Sequence, residues 1–444
     1  MMKTDERARI SQADLDALYG QHVLFLRRKG GKRIALNMKR AERLDFSSKF
    51  LMAADMTGAL LDGSTFTRAN LSEANLFGAS LINCDLRYAT LRKTDLRGAR
   101  LRSANLSEAV LDFADFREGT LLNKSRGALV NAYADDGRSL MEKAMFRNVQ
   151  AKGAKFSRSI AAGTDLTNAN FENARMNGAD FVGSTLKKVN FTGANLSNCN
   201  FCGANLQGAI LAGAILDGAQ FQDADLTTTV VGREALSKAD VRNARLPRGL
   251  ESLEQSIQDI IRAHSQWVLS LGASGAQANL SAVDLRDVDL SGTDFSAANF
   301  QTAMLFDSRL MDCCFTMADL SSCNAMGADL TDADCRGTNF KGAMLQRIRL
   351  PDADCSPMKI RAGLNSIDWP TNFSDADLTD ADLRAGNFQG ATFAQALLRA
   401  ADLRGADLRN AVLVDADLTD ADLREADLTG ADLRGAIGLK RQGR

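Results

Sequence analysis

The sequence predicts an all-β solenoid, and three features carry that prediction. Large apolar residues recur every fifth position, a small residue sits two places before most of them, and the prolines avoid the regular stretches. From Phe46 to Leu121 every fifth residue is Leu, Phe or Met at all 16 positions, with Ala54, Ala59, Ala69, Ala74 and Ala79 in the small slot. The register resumes at Phe146 and runs to Leu246, a second phase covers Leu280 to Cys355, and a third covers Leu378 to Leu433. A five-residue spacing walks round an α-helix, and a flat strand needs period two, so neither buries this pattern on one side. A turning coil does, and stacked coils bury one another's apolar residues.

The repeating unit is A-(D/N)-L-x-x, as in ANLSE at 69–73, ANLFG at 74–78 and ADLRG at 401–405. On these residues the chain resembles the pentapeptide-repeat family. The resemblance implies a right-handed quadrilateral β-helix, four-sided, with one pentapeptide per side and the large and small residues pointing inward. Residues 20 apart should then stack, as Phe181, Phe201 and Phe221 would, and likewise Phe171 with Phe191 and Phe295 with Phe315.

The first element in chain order is a helix. Ile10 to Gly31 and Ser252 to Gly272 read as copies, a shift of 242 aligning Leu15 with Ile257, Leu18 with Ile260, His22 with His264, Phe25 with Trp267 and Gly30 with Gly272. Ser252 with Gln255 has the form of a capping box, and Ser11 with Asp14 an approximate one. A β-helix exposes backbone groups and core at its ends, so both helices are expected to cap coils. The predicted layout is a capping helix and basic linker at 1–33, a first β-helix at 34–246, a linker and second helix at 247–277, a second β-helix at 278–355, a break at 356–372, a third segment at 373–436 and a basic tail at 437–444.

Two breaks stand out. Continuing the register through 122–144 would aim Arg126, Asn131 and Asp136 inward, so an excursion is expected there. Residues 356–372 shift the phase and hold Pro357 and Pro370; the other prolines, Pro247 and Pro351, also lie where the repeat decays. Excursions from a regular rod are the expected carriers of specific recognition.

No catalytic residue, cofactor site or metal site is predicted. His22 and His264 occupy equivalent places in the two helices and read as cap packing. Cys199 and Cys202 form a C-x-x-C, but the register turns one inward and the other outward. Cys84, Cys313, Cys323, Cys335 and Cys355 take inward slots as small hydrophobes, and all eight cysteines are expected to stay thiols in a cytoplasmic protein. The segment Met1 to Arg9 lacks a signal-peptide pattern, and no apolar run approaches the roughly 18 residues of a membrane span.

With a net charge of -1, nucleic acid is not an expected partner. The expected function is a non-enzymatic scaffold or protein-interaction module that shows loops and charged columns to an unidentified protein partner. The resemblance implies an alternative, because some family members mimic duplex DNA and bind type II topoisomerases such as gyrase, giving quinolone protection or inhibition. Residues 401–436 hold nine acids and four arginines. Asp382, Asp402 and Asp422 should share a face with Arg384, Arg404 and Arg424, leaving Asp407, Asp427, Asp415, Asp420 and Glu425 as a candidate acidic partner-binding surface.

Overall fold

The computed structural model describes residues 7–120, 122–125, 128–131, 139–286, 288–362 and 365–439, the side chains of 122–131, 233, 361, 362 and 365 excepted. Arg126, Asp136 and the basic tail beyond Leu439 lie outside the described residues. The chain divides into two compact units, residues 1–245 and 246–444.

One pentapeptide shows why the repeat folds as it does. In Leu71 to Asn75, the Leu71 and Glu73 N–H groups donate forward to the next coil, to Thr90 O at 2.7 Å and Arg92 O at 2.9 Å. The Asn75 N–H donates back to Ala54 O at 2.8 Å, and the Ala74 N–H closes a turn on Leu71 O at 3.0 Å. The remaining donor, Ser72 N–H, bonds the Asn70 side-chain oxygen at 3.0 Å. All five donors are therefore satisfied within the coil and its neighbours.

Each turn holds its third residue in the left-handed region, Glu73 at φ 58° for example. A side chain there carries a cost of about 1–2 kcal/mol, which Gly avoids and Asn and Asp reduce. Among the described residues, sixteen of the 43 non-glycine residues at positive φ are Asn or Asp.

Parallel bridges join residues 20 apart, as Asn75 to Asp95 and Ser80 to Arg100, one every five residues, so four bridges fill each coil. This makes each unit a β-helical solenoid. The inward leucines and alanines are buried except in the last coil, where Leu423, Leu428 and Leu433 are half-buried, and the expected rings stack. Centroids lie 5.3 Å apart for Phe181 and Phe201, 5.0 Å for Phe201 and Phe221, and 5.7 Å for both Phe171 with Phe191 and Phe295 with Phe315.

Each break contains an antiparallel strand pair, and the ladder continues on either side of it. Strands β1 (Leu122–Ser125) and β2 (Ala128–Asn131) pair antiparallel, and the bridges on either side join residues 40 apart, Arg100 with Leu140 and Asp115 with Lys155. Phe116 stacks on Phe156 at 4.4 Å, so the ring column continues past the excursion. In the C-terminal unit β3 (Met358–Ala362) pairs with β4 (Asn365–Trp369), while Asn339 bridges Asn372 and Phe340 stacks on Phe373 at 4.9 Å.

Helix α1 (Gln12–Leu26) starts at Ser11, which forms a complete capping box with Asp14. It buries Leu15 and His22, and packs Leu18 and Tyr19 on the first core. A four-residue helix, α2 (Arg233–Leu236), interrupts the last coil of the N-terminal unit. Helix α3 (Ile257–Leu269) buries Ile257 and His264 on the second core.

Three expectations need correction. The N-cap of α3 is Ser256, whose hydroxyl accepts the Asp259 N–H at 3.1 Å; Ser252 lies in a short 3₁₀ turn and Leu253 is extended, so α3 begins a turn later than the Ser252–Gln255 pattern implied. The glycine equivalent to Gly31 is Gly275: a Cβ would fall 2.3 Å from Gln21 O at the first and 2.2 Å from Ala263 O at the second. The alignment on Gly30 and Gly272 fails because the turn after α3 is longer. Leu246, expected inward, is 39% exposed, since the chain leaves the coil at Pro247.

Phe201 packs between rings on both sides, so Phe201→Ala should lower the unfolding free energy of the N-terminal unit by about 3–5 kcal/mol. Urea denaturation checks this, and a change within error would mean that the stacked column is not a packing core.

Candidate interaction surface

The coil uses most of its own polar groups. In the Asp-x-Arg units the aspartate accepts the N–H two residues on and forks the arginine side chain. Asp402 Oδ1 accepts from Arg404 N at 3.3 Å and from Nε at 2.8 Å, while Oδ2 accepts from Nη2 at 2.6 Å. Arg384 also lies 3.7 Å from Asp402, and Arg404 3.8 Å from Asp422, so the column Asp382, Asp402, Asp422 is laced by its arginines. The hydrogen bonds from Arg424 hold the Asp422 carboxyl at about 2. Exposed pairs of this kind add little stability individually.

The five candidate acids differ in what their own turns ask of them. Asp407 is forked by Arg409 at 2.6 Å and is therefore paired within its own unit. Arg409 also lies 3.8 Å from Asp427, which caps its own turn through the Thr429 N–H at 2.9 Å and hydroxyl at 2.6 Å. Hydrogen bonds from Arg409 and Thr429 lower the Asp407 and Asp427 carboxyls below the usual range. Asp415, Asp420 and Glu425 are exposed at three successive turns, each at the left-handed position, with φ of 57°, 60° and 63°. The two aspartates therefore also serve the backbone. The signal was available in sequence, since Gly, Asn and Asp recur two residues after the inward apolar one.

A second signal lay in how charge is distributed. Residues 1–245 carry 35 Lys and Arg against 26 Asp and Glu, whereas residues 246–444 carry 19 against 29. The net charge of -1 thus joins a unit of +9 to a unit of -10.

Compared with known families, the chain matches pentapeptide repeats in eight copies, over residues 54–92, 84–121, 152–193, 194–230, 278–316, 318–354, 371–399 and 401–437. These stretches span well over half of the chain. It belongs to the pentapeptide-repeat family. No curated protein matches it by sequence. Among solved structures it is similar to QnrB1, a plasmid-mediated fluoroquinolone resistance protein, at 21% identity over 54% of this chain and 98% of that one, with a TM-score of 0.29. It is also similar to HetL, a protein involved in heterocyst differentiation regulation in the cyanobacterium Nostoc, at 22% identity over 79% and 89% of the two chains and a TM-score of 0.15. A pentapeptide repeat protein of the Arabidopsis thaliana thylakoid lumen matches at 17% identity over 27% and 77%, with a TM-score of 0.18.

Both histidines and six of the eight cysteines of this pentapeptide-repeat protein are buried. Cys199 is buried and donates to Met176 O at 3.0 Å, while Cys202 lies at the surface and meets Gln222 at 2.6 Å, so the C-x-x-C points two ways. All eight cysteines are free thiols. Burial pushes the Cys84, Cys199 and Cys313 thiols up to about 12; its hydrogen bond with Cys355, together with burial, raises Cys335 as well. Among the described residues no group of His, Cys, Asp or Glu could hold a metal ion, and no helix is long and apolar enough to cross a membrane.

His22 and His264 are fully buried and work alike. The Nδ1 of each accepts a backbone N–H from the start of the first coil, Ile34 at 3.2 Å and Ala278 at 3.0 Å. Each ring stacks on an aromatic three residues on, Phe25 at 5.8 Å and Trp267 at 5.7 Å. An accepting Nδ1 requires the neutral ring, so protonation would expel the bond that seats helix on coil.

Burial lowers both imidazoles below 6.5; the Met52 carbonyl opposes this at His22 and Arg33 adds to it, while Asp294 opposes it at His264. The unfolded chain then takes up protons near pH 6.5 that the folded chain refuses. Stability should be fully present above that pH and fall below it, by up to about 1.4 kcal/mol per pH unit for each histidine. Urea midpoints at pH 7.5 and 5.5 measure the slope, which His22→Gln and His264→Gln should flatten. Equal midpoints at the two pH values would contradict this account.

Proposed function

We propose that the chain is a non-enzymatic scaffold for another protein: two right-handed, four-sided β-helices, each begun by a capping helix, that display hairpins and charge in the cytoplasm. The observation that carries this reading is how polar groups are used. The recurring Asp, Asn and Arg side chains close their own turns and ion pairs, which leaves little surface chemistry for catalysis. Four bridges per coil support four sides, and the buried stripes of α1 and α3 support caps. Boundaries at 34–246, 278–355 and 373–436 for the coils, with breaks at 122–144 and 356–372, belong to the same proposal.

The partner we infer for the C-terminal unit is a basic protein surface, met by its net charge of -10 and by Asp407, Asp427, Asp415, Asp420 and Glu425. Charge complementarity of this kind acts mainly on association rate and specificity. Affinity capture from lysate should lose partners when 122–138 or 356–370 is excised, deletions that stop short of the ladder residues Leu140 and Asn372. Asp427→Lys, which spares the Asp407–Arg409 pair, should weaken capture several-fold at low salt. If neither deletion nor the charge change alters what is recovered, the scaffold reading of these surfaces fails.

A second reading gains support from the charge of the C-terminal unit. Binding of a type II topoisomerase by duplex mimicry needs an acidic rod, and residues 246–444 meet that need although the whole chain does not. A gyrase supercoiling assay with and without a quinolone tests it. Protection or inhibition is the expected result, and no effect at micromolar protein removes this reading.

A further inference from the structure

The turn that closes α1 concentrates positive charge. Arg27, Arg28, Lys29, Lys32 and Arg33 fall within seven residues and are all exposed. Among the described residues, only Arg33 of the five has an ion pair, with Asp55 at 3.5 Å. Arg28 takes a φ of 54°, and its N–H and that of Lys29 bond back to Phe25 O at 3.0 Å and Leu24 O at 2.9 Å. Gly31, at φ 80°, then folds the chain against the helix so closely that a Cβ would fall 2.7 Å from the Leu24 side chain.

The cations are thus held beside two part-exposed apolar side chains: Leu24, which lies off the buried stripe, and Phe25, one face of which stacks on His22. The buried stripe of α1 is Leu15, Leu18, Tyr19 and His22, and Leu24 lies about 180° round the helix from Leu15. Leu24 is 38% exposed and Phe25 40% exposed.

The junction itself does not require this charge. Its duplicate in the C-terminal unit makes the same helix, the same histidine bond and the same glycine approach, yet no Lys or Arg lies between Arg262 and Arg286. Favourable placement of cations at a helix C-terminus is therefore insufficient to explain five of them.

We propose that residues 24–33 form a docking surface for an anionic lipid bilayer. The cations would lie among the headgroup charges, and Leu24 and Phe25 would enter the upper acyl region, as in peripheral anchors that combine charge with apolar contact. A nucleic acid could use the cations but offers nothing to Leu24. The proposal is independent of the acidic partner surface, which belongs to the other unit.

Co-sedimentation of the full chain with phosphatidylcholine vesicles, with and without about one-third phosphatidylserine, provides the test. Binding is expected to the anionic vesicles alone and should fall as salt rises. The triple variant Arg27→Gln, Arg28→Gln, Lys29→Gln should weaken it by about a hundred-fold, each cation near such a surface being worth about five-fold. Leu24→Ser should weaken it without changing its salt dependence, and Arg27→Lys with Arg28→Lys should retain it. Melting temperatures of these exposed variants should match the parent. No binding to anionic vesicles, or binding that the triple variant leaves unchanged, overturns the proposal. So does binding that ignores Leu24→Ser and is displaced by a duplex oligonucleotide, which would make the turn a nucleic-acid site.

Discussion

The coils of this protein follow from the need to pair five backbone N–H groups in each five-residue turn. Two donate to the next coil, one to the previous coil, one across the turn, and the last has only a side chain to meet it. That last donor explains why Asp or Asn precedes the inward Leu, since a short side chain with an acceptor oxygen two residues upstream reaches it. Ladder geometry likewise sets the left-handed residue after each turn's second position. The coil thereby assigns roles to four of five positions before any partner is considered.

Much of the fold was legible because those roles leave period-five marks. The inward leucines, the small slot and the ring columns at Phe181, Phe201 and Phe221 could be read from spacing alone. Helix ends were less legible. Ser252 with Gln255 fits a capping box as well as Ser256 with Asp259 does, and only the extended backbone at Leu253 separates them. The glycine after each helix was misaligned for a related reason: what defines it is a close approach to a carbonyl 10 or 12 residues earlier, Gln21 or Ala263, which a shift by a constant number cannot capture.

The candidate site was less legible than the fold. Counting charge over residues 401–436 finds an acidic surplus, but it cannot tell which acids the turns already use. Asp407 is spent on Arg409, Asp427 on Thr429, and Asp415 and Asp420 sit where the backbone favours Asp. A single net charge misled in the opposite direction, because summing a +9 unit and a -10 unit erases both. Charge per compact unit, rather than per chain or per motif, is the quantity that bears on partners here.

The same constraint limits where recognition can reside. In a coil whose inward pair is apolar and whose Asp or Asn is consumed by its own turn, only the two residues after each Leu or Phe vary freely, and one of them must tolerate positive φ. A regular stretch of coil can therefore tune charge but can hardly build a pocket. Specific contacts are better made where the chain leaves the ladder. The strand pairs β1–β2 and β3–β4 escape the repeat while Phe116 with Phe156 and Phe340 with Phe373 keep the core stacked beneath them. The turn after α1 escapes it too, and its divergence from the uncharged duplicate after α3 shows that surface chemistry at these exits can change while the junction's internal bonds are conserved between the two copies.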